Sequence, residues 1–358
     1  MRVCVFGTRG FPNVEGGVEK HCEELYPLLG KEMEIIVFRR KSYVVNKAEY
    51  KNIRFVDLPS TRIKGVEALI HSCLAAISTI WIHPDAVHIH NIGPALFAPL
   101  LKLFSIPVVL TYHSPNYEHK KWGYFAKKLL RFCELIALKF ADKVVFVNRF
   151  QMQKFGQPVQ NKSIYIPNGI TEPNINKNQS YLEKIGVQPG KYILSVGRIT
   201  PEKGFHTLIK AFGMQKEADY KLVVAGGVEF ENSYMQELAV LSENLPVVFT
   251  GYVSGDDLAQ LYSNAALYVL ASENEGFPLV LLEAMSYKRN VLVSDIPATH
   301  LVSLKDTDYF SMGDAATLAK MIEEKLLEPS ERVYDLKGFT WENHANQIAE
   351  IFREVCSG

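Results

Sequence analysis

The chain alternates short apolar runs with longer segments in which apolar residues recur every three or four positions. Runs of four or five apolar residues suit buried strands, and the longer segments suit helices that cover a sheet. This alternation is typical of βαβ units and a parallel sheet. The strands predicted in the first half are Val3–Phe6, Ile35–Phe38, Ile53–Val56, Val87–His90, Val108–Thr111 and Val144–Val147, separated by helical stretches such as 17–30, 64–81 and 119–139.

The same alternation restarts near residue 181, after a stretch over 168–180 that is rich in Asn and Pro, as linkers are. We therefore predict an α/β fold of two Rossmann-like, doubly wound parallel-sheet domains, 1–167 and 181–338, with a terminal helix over 339–358. Ligands of such sheets lie beyond the carboxyl ends of the strands, so we expect the site in a cleft between the facing domains. The strands predicted in the second half are Tyr192–Val196, Leu222–Ala225, Val247–Thr250, Leu267–Leu270 and Val291–Val293.

Size and composition agree with two folded domains, because the chain has 358 residues, 47% of them hydrophobic and 22% charged. The five cysteines are odd in number and lack metal-site spacing, which argues against a disulfide framework and a zinc site. The chain begins directly with a strand pattern and contains no run of eighteen apolar residues. We expect a cytoplasmic protein without a signal peptide or a membrane-spanning helix.

The net charge of zero hides an asymmetry between the two halves. Residues 1–170 hold 23 Lys and Arg against 13 Asp and Glu, and residues 171–358 hold 16 against 26. A basic first half could face an anionic membrane or an anionic acceptor. Attraction between two oppositely charged domains explains the same pattern, and the sequence leaves both explanations open.

The richest segment for chemistry runs from Ser272 to Met285. Proline suits the start of a helix, so Pro278 predicts a helix that begins there, with Glu275 just before it and Glu283 inside it. Free N–H groups and a partial positive charge at a helix N-terminus suit phosphate, and the two carboxylates suit sugar hydroxyls. The alternative is a buried helix with two incidental glutamates.

A second candidate follows the strand Tyr192–Val196, where Gly197 and Arg198 are followed by Lys203 and Gly204. Two cations that flank a strand-to-helix turn can hold a diphosphate from two sides, Arg through a planar fork and Lys as a point charge. Gly226 and Gly227 after the next strand allow a close backbone approach, which we expect to be to the same nucleotide. A solvated turn is the alternative.

Glycines also follow the first strand, and Gly16 and Gly17 open the first predicted helix. Their spacing is not GxGxxG, and the second strand ends in basic residues, which argues against a dinucleotide-binding dehydrogenase. A loop over a phosphate or sugar fits better, and a plain strand-to-helix turn remains the alternative.

His113 follows the strand Val108–Thr111, a position from which a side chain can reach a sugar hydroxyl or developing charge. A structural histidine is the alternative. His88 and His90 alternate to one face of a strand, and we expect packing or supporting roles for them, without a metal.

The stretch from Lys120 to Arg131 is basic and aromatic, which favours a helix at a membrane surface or a helix that covers a sheet. No accompanying motif supports nucleic-acid binding.

Together these motifs resemble the retaining GT-B glycosyltransferases of glycosyltransferase family 4, over nearly the whole chain. Pro278 is a departure, because many members have glycine there, and it leaves the sugar preference open. The opening Gly-Thr-Arg-Gly-Phe-Pro segment resembles members that build bacterial surface polysaccharides. The matching residues are the Glu-x7-Glu pair Glu275 and Glu283, the basic pair Arg198 and Lys203, the loop glycines Gly16 and Gly17, the cleft histidine His113, and Phe339-Thr-Trp341, which in the family opens a helix that crosses back to the N-terminal domain.

The resemblance implies a hexosyltransferase that moves a sugar from a nucleotide diphosphate sugar to a hydroxyl of a glycan or lipid-linked acceptor, with retained configuration. It places Arg198 and Lys203 on the departing diphosphate, Glu275 on the donor sugar, Glu283 on the ribose and His113 near the reacting carbon. It implies no cofactor, no catalytic metal and no protein nucleophile. The donor-binding residues are then Gly16, Gly17, Arg198, Lys203, Gly276, Phe277, Pro278, Leu279, Val280 and Glu283.

Two alternatives stay open: a GT-B sugar-nucleotide epimerase and a non-catalytic nucleotide-sugar-binding partner. The base, the sugar, the acceptor and the oligomeric state cannot be read from the sequence.

Overall fold

A computed structural model describes residues 1–44, 49–61, 66–115, 117, 123–175, 178–215, 219–228, 233–327 and 331–357. The chain forms two compact units. Unit 1 comprises Met1–Gly169 together with Gly338–Gly358, and unit 2 comprises Ile170–Lys337.

Unit 1 is built on a seven-stranded sheet in the order β3-β2-β1-β4-β5-β6-β7, in which all neighbours are parallel. Most of its strands are buried along nearly their full length, because helices cover both faces of the sheet. The strands are β1 Arg2–Phe6, β2 Glu34–Arg40, β3 Ile53–Leu58, β4 Ala86–His90, β5 Val108–Tyr112, β6 Lys143–Phe146 and β7 Ser163–Tyr165.

Successive side chains of a strand point to opposite faces of the sheet, and this alternation builds two cores in unit 1. The helices of this unit are α1 Gly17–Leu29, α2 Val66–Ile82, α3 Ala98–Leu103, α4 Tyr124–Phe140, α5 Arg149–Met152, α6 Gln157–Gln160 and α13 Trp341–Ser357. Val3 and Val5 lie in the core beneath α1 and α13, whereas Cys4 and Phe6 lie in the core beneath α2, α3 and α4.

The terminal helix α13 packs against α1, so the end of the chain belongs to unit 1. Ala345, Ile348 and Phe352 of this helix are buried in the same core as Leu25 of α1.

Unit 2 repeats the plan with a six-stranded parallel sheet in the order β10-β9-β8-β11-β12-β13. Its core lies between the sheet and helices that include α8 and α12. The strands are β8 Tyr192–Val196, β9 Lys221–Ala225, β10 Val247–Gly251, β11 Leu267–Leu270, β12 Val291–Ser294 and β13 Tyr309–Phe310, and the helices are α7 Ser180–Lys184, α8 Phe205–Gly213, α9 Ser233–Leu241, α10 Gly255–Asn264, α11 Leu279–Ser286 and α12 Ala315–Leu327.

The two parallel sheets confirm the predicted α/β class. Two short strands, β7 and β13, were not predicted. Residues 64–65, 119–122 and 176–177, which belong to the predicted helices and linker, lie outside the described residues. Within the described part of the chain, no helix has both the length and the apolar character needed to cross a membrane.

Candidate functional site

In unit 2, the turn after β8 and the segment after β11 bring two of the predicted site residues together. Lys203 Nζ donates to Glu275 Oε1 over 2.6 Å. The same carboxylate oxygen accepts a hydrogen bond of 2.7 Å from the hydroxyl of Ser272. Glu275 Oε2 and the remaining N–H groups of Lys203 make no hydrogen bond among the described residues.

The turn that carries Lys203 requires glycine at position 204 for steric reasons. Gly204 adopts φ +65° at the start of α8, and a Cβ atom there would lie 1.9 Å from the carbonyl oxygen of Ala271. Because Ala271 immediately precedes Ser272, the same contact seats the Lys203 turn against the Glu275 segment.

Arg198 follows Gly197 at the carboxyl end of β8 and is half-buried. The close approach predicted at Gly226 is made by the chain itself, because a Cβ atom at Gly226 would lie 1.8 Å from the carbonyl oxygen of Gly197. The first turn after β8 is thus pressed against the end of β9, and this packing positions the backbone that leads into Arg198.

Helix α11 begins at Leu279, and Pro278 is its N-cap residue. The helix therefore starts one residue later than predicted, since the prediction placed Pro278 at its first position. The Leu279 N–H donates to the Phe277 carbonyl over 3.0 Å, whereas the Val280 N–H has no partner among the described residues. Leu279 and Val280 are both predicted donor-binding residues, and of their two backbone N–H groups only that of Val280 is therefore left to donate to a phosphate.

Glu283 lies one turn further along α11 and is half-buried. Its Oε2 accepts a hydrogen bond of 2.8 Å from the buried Tyr262 hydroxyl, which fixes the carboxylate on the side of α10.

In unit 1, Gly16 and Gly17 occupy the N-cap and the first position of α1. Gly16 has φ +148°, and a Cβ atom there would lie 2.0 Å from Glu19 Oε2. Glu19 Oε1 accepts hydrogen bonds from the Thr8 hydroxyl and the Arg9 N–H, so its buried carboxylate ties the loop after β1 to α1.

His113 directly follows β5 and lies at one end of a chain of hydrogen bonds. His113 Nε2 lies 2.9 Å from His90 Nδ1, and His90 Nε2 lies 2.6 Å from the Tyr26 hydroxyl. The chain continues from Tyr26 to His88 Nδ1 over 2.8 Å and from His88 Nε2 to the Thr111 hydroxyl over 2.7 Å. These five residues form what we call the histidine relay.

The relay has a preferred direction. The Thr111 hydroxyl is fully buried, and its proton finds an acceptor only if Thr111 donates to His88 Nε2. His88 then donates to Tyr26, Tyr26 to His90, and His90 to His113 Nε2. In this arrangement, His113 carries its proton on Nδ1 and can donate a hydrogen bond from that nitrogen.

The imidazoles around the relay are held neutral. Burial, as the largest cause, lowers the pKa of His88 and His113 to about 3 and that of His344 to about 4. Burial also holds the pKa of His21 and His90 well below the usual value. Neutral imidazoles can both donate and accept, which a relay requires.

His21, His90 and His113 each offer a ring nitrogen within 4.8 Å of the others, a grouping that could hold a metal ion after a small rearrangement. His90 Nδ1 and His113 Nε2 are hydrogen-bonded to each other. His21 Nε2 is buried without a partner, while His21 Nδ1 bonds the Asn168 side chain over 2.8 Å. The absence of a metal therefore stays a prediction, and the sequence interpretation did not identify this cluster.

With both units described, comparison with known proteins decides the family. The model for Glycosyltransferase Family 4 matches residues 15–172, and the model for Glycosyl transferases group 1 matches residues 179–334. An uncharacterized glycosyltransferase of Methanocaldococcus jannaschii is 30% identical over 83% of this chain and 81% of its own. The chain belongs to glycosyltransferase family 4, group 1. The resemblance seen in the sequence is thereby confirmed.

Other relatives cover almost the full chain. The alpha-monoglucosyldiacylglycerol synthase of Streptococcus pneumoniae is 25% identical over 99% of this chain and 86% of its own. The sucrose-phosphate synthase structure from Thermosynechococcus elongatus superimposes with a TM-score of 0.84 at 22% identity, covering 99% of both chains. HepE from Anabaena, solved with UDP and glucose, gives a TM-score of 0.77 at 19% identity, covering 98% of this chain and 99% of its own. These structures confirm the GT-B fold and show no more than the fold.

Proposed function

We propose that this glycosyltransferase moves a hexose from a nucleoside diphosphate sugar to a hydroxyl of a glycan or lipid-linked acceptor, with retention of configuration, in bacterial surface polysaccharide synthesis. The observation that carries the proposal is the pairing of Lys203 with Glu275 in unit 2, on a turn that Arg198 opens five positions earlier in the chain. A cation suited to the diphosphate and a carboxylate suited to the sugar therefore lie next to each other.

The two cations would act on the leaving group. Negative charge grows on the departing diphosphate in the transition state, and preorganised cations that face this charge lower the barrier. Lys203 Nζ donates to one carboxylate oxygen and has further N–H groups for phosphate oxygens. Because Arg198 and Lys203 supply this charge, we propose that transfer needs no divalent cation.

The carboxylates and the start of α11 would hold the rest of the donor. Glu275 Oε2 is available to a sugar hydroxyl, and Glu283 would accept from the ribose hydroxyls. The Val280 N–H at the start of the helix would donate to a phosphate oxygen. The roles that the resemblance gives His113, Gly16 and Gly17 remain predictions.

The names of relatives support the acceptor class. One relative is the alpha-monoglucosyldiacylglycerol synthase of Streptococcus pneumoniae, and another is an O-antigen chain mannosyltransferase of Salmonella typhimurium, 31% identical over 39% of this chain and 39% of its own. A lipid-linked acceptor would place the enzyme at the inner face of the cell membrane as a peripheral protein. None of the relatives or structures named above is described as an epimerase or a non-catalytic partner.

A transfer assay tests the proposal. The full chain is incubated with radiolabelled UDP-glucose, UDP-galactose or GDP-mannose and a bacterial lipid extract, with and without EDTA. We expect label in the lipid fraction with one donor, in EDTA as well as without it, and an NMR spectrum that shows retained configuration. Glu275→Gln should lose transfer, and Glu237→Gln, at an exposed position on α9, should keep it. An epimerised donor without acceptor, or full loss of transfer in EDTA, would contradict the proposal.

A further inference from the structure

The helices α2, α3 and α4 form one layer over a face of the unit 1 sheet, with α3 in contact with both of the others. Ala75, Ala98 and Ala137 point from these helices into the core beneath. The outward side of this layer, which we call the α2–α4 face, is where large apolar side chains are exposed. They are Val66, Leu69, Ile70, Ile77 and Trp81 of α2, Leu103 of α3 with the adjacent Phe104, and Tyr124, Phe125, Leu129, Phe132 and Leu135 of α4.

The outer side of α2 carries no charge. Its exposed side chains recur at helical spacing through Val66, Ile70, Ile77 and Trp81, and Trp81 is 85% exposed. Glu67 is the one charged residue of this helix, and it pairs with the Tyr43 hydroxyl and lies 3.5 Å from Arg40. Four helical turns therefore present only apolar and small polar groups to solvent.

The outer side of α4 combines apolar residues with positive charge. Phe125 is 84% exposed, and the exposed charges along the helix are Lys128, Arg131 and Lys139, with Lys127 half-buried beside them. The one acidic residue of α4, Glu134, is buried and accepts a hydrogen bond of 2.6 Å from Tyr112. Helix α4 thus offers apolar rings and cations together, and no exposed anion.

We propose that the α2–α4 face docks onto an anionic membrane surface. Exposed apolar patches of this extent mark interaction sites. Protein interfaces are depleted in lysine, whereas a bilayer surface attracts lysine and arginine to its anionic headgroups and accommodates Trp, Tyr and Phe at the interface. The chemistry of the face therefore matches a lipid surface better than a protein partner.

This inference deepens the proposed function, since a lipid-linked acceptor would lie at the same surface. It also goes beyond the sequence prediction for Lys120–Arg131, because α2, α3 and the adjacent Phe104 add exposed apolar side chains that lie outside that stretch. Lys120, Lys121 and Trp122 lie outside the described residues and carry none of the argument.

Sedimentation with vesicles tests the docking surface directly. The full chain is mixed with vesicles of phosphatidylcholine alone or with phosphatidylglycerol added, at low and high salt. We expect binding to the anionic vesicles that weakens with salt. The triple variant Lys127→Gln/Lys128→Gln/Arg131→Gln should lose about fivefold in partitioning for each charge removed.

A second variant tests the apolar part. Trp81→Ser/Phe125→Ser changes two almost fully exposed side chains, so that folding is preserved and binding to anionic vesicles falls. Val240→Ser/Val333→Ser is the matched control, because both valines are exposed in unit 2, outside the face. No vesicle binding, equal binding by all variants, or a dimer in solution that Trp81→Ser/Phe125→Ser dissociates would overturn the proposal. Because vesicle binding needs no donor, its failure leaves the transferase proposal standing, and failed transfer leaves the docking surface standing.

Discussion

Lys203 and Glu275 stand 72 positions apart in the chain and form an ion pair of 2.6 Å in which both side chains are mostly buried. The pair exists because β8 and β11 are neighbours in the sheet, so the segments that follow them lie side by side. The cation assigned to the diphosphate is thus paired with the carboxylate assigned to the sugar.

This relationship separates two effects of Glu275→Gln. The amide keeps the side-chain size and removes the charge that competes with phosphate for Lys203, so the affinity for a nucleoside diphosphate without sugar should stay equal or rise. Sugar transfer should fall by at least about tenfold, the cost of one charge-assisted hydrogen bond. Calorimetry with UDP and GDP, beside the transfer assay, checks both. A tenfold loss of nucleotide affinity would show that Glu275 serves the nucleotide and not the sugar.

Acid should destabilise unit 1 through its buried histidines. The pKa of His88 and His113 is about 3 and that of His344 about 4, while unfolded imidazoles titrate near 6.5. Between about pH 6.5 and pH 4 the unfolded chain binds more protons than the native chain, so stability falls as pH falls, by about 1.4 kcal/mol per pH unit for each group. Above about pH 6.5 these groups make no pH-dependent contribution.

Tryptophan fluorescence can follow this loss, because the two tryptophans that the structure describes, Trp81 and Trp341, belong to unit 1, and Trp341 is buried. Urea unfolding at several pH values gives the free energy of unfolding as a function of pH, and the slope of this dependence counts the extra protons that the unfolded chain binds. In His88→Gln this slope should correspond to about one proton fewer. An unchanged slope in His88→Gln would mean that other groups cause the acid sensitivity.

Gly204 and Gly190 allow backbone strain and steric overlap to be separated. Both adopt left-handed backbone conformations, with φ +65° and +71°, but only Gly204 would place a Cβ atom against another group. Gly190→Ala should cost about 1–2 kcal/mol for the backbone alone. Gly204→Ala should cost more and weaken nucleotide binding, since it displaces the Lys203 turn. Calorimetric unfolding of both variants checks which loses more stability. Equal losses would contradict a steric overlap between a Cβ atom at position 204 and Ala271.

Glu283→Gln should weaken nucleoside diphosphate binding by about ten- to a hundredfold, because hydrogen bonds to a charged group contribute about 1.5–3 kcal/mol. For a 2′-deoxy or 3′-deoxy analogue that lacks the hydroxyl bound by Glu283, the unchanged chain and Glu283→Gln should have equal affinity. Tyr262→Phe should cost less, because it removes only the group that orients the carboxylate. If Glu283→Gln weakens the deoxy analogues as much as the parent nucleotide, Glu283 does not hold the ribose.

Much of the fold could be predicted because buried parallel strands are apolar along their length. The predicted Leu267–Leu270 is β11 itself, and Val3–Phe6 falls one residue short of β1. The strands β7 and β13 could not be predicted: β7 is not fully buried and so lacks an apolar run, and β13 has only two residues.

The candidate site was harder to predict, because its contacts depend on tertiary neighbours. The sequence assigned Lys203 and Glu275 to one donor but gave no reason to pair them. The histidine relay joins α1, β4 and the end of β5, and no local pattern links Tyr26 to His88. The outward face of α2 was also missed, because the sequence analysis treated 64–81 only as a helix that covers the sheet and did not consider the apolar residues on its outer side.

The central claim is that Lys203 and its neighbours in unit 2 hold a nucleoside diphosphate, and a thermal-shift measurement tests it most directly. The full chain is heated with UDP, GDP, dTDP, CMP, ADP or NADP, beside Lys203→Met and the control Lys210→Met, an exposed lysine of α8. A ligand that binds the folded state raises the melting temperature. We expect a rise with one nucleoside diphosphate that Lys210→Met keeps and Lys203→Met loses. A rise with NADP alone, or a rise that persists in Lys203→Met, would contradict the account.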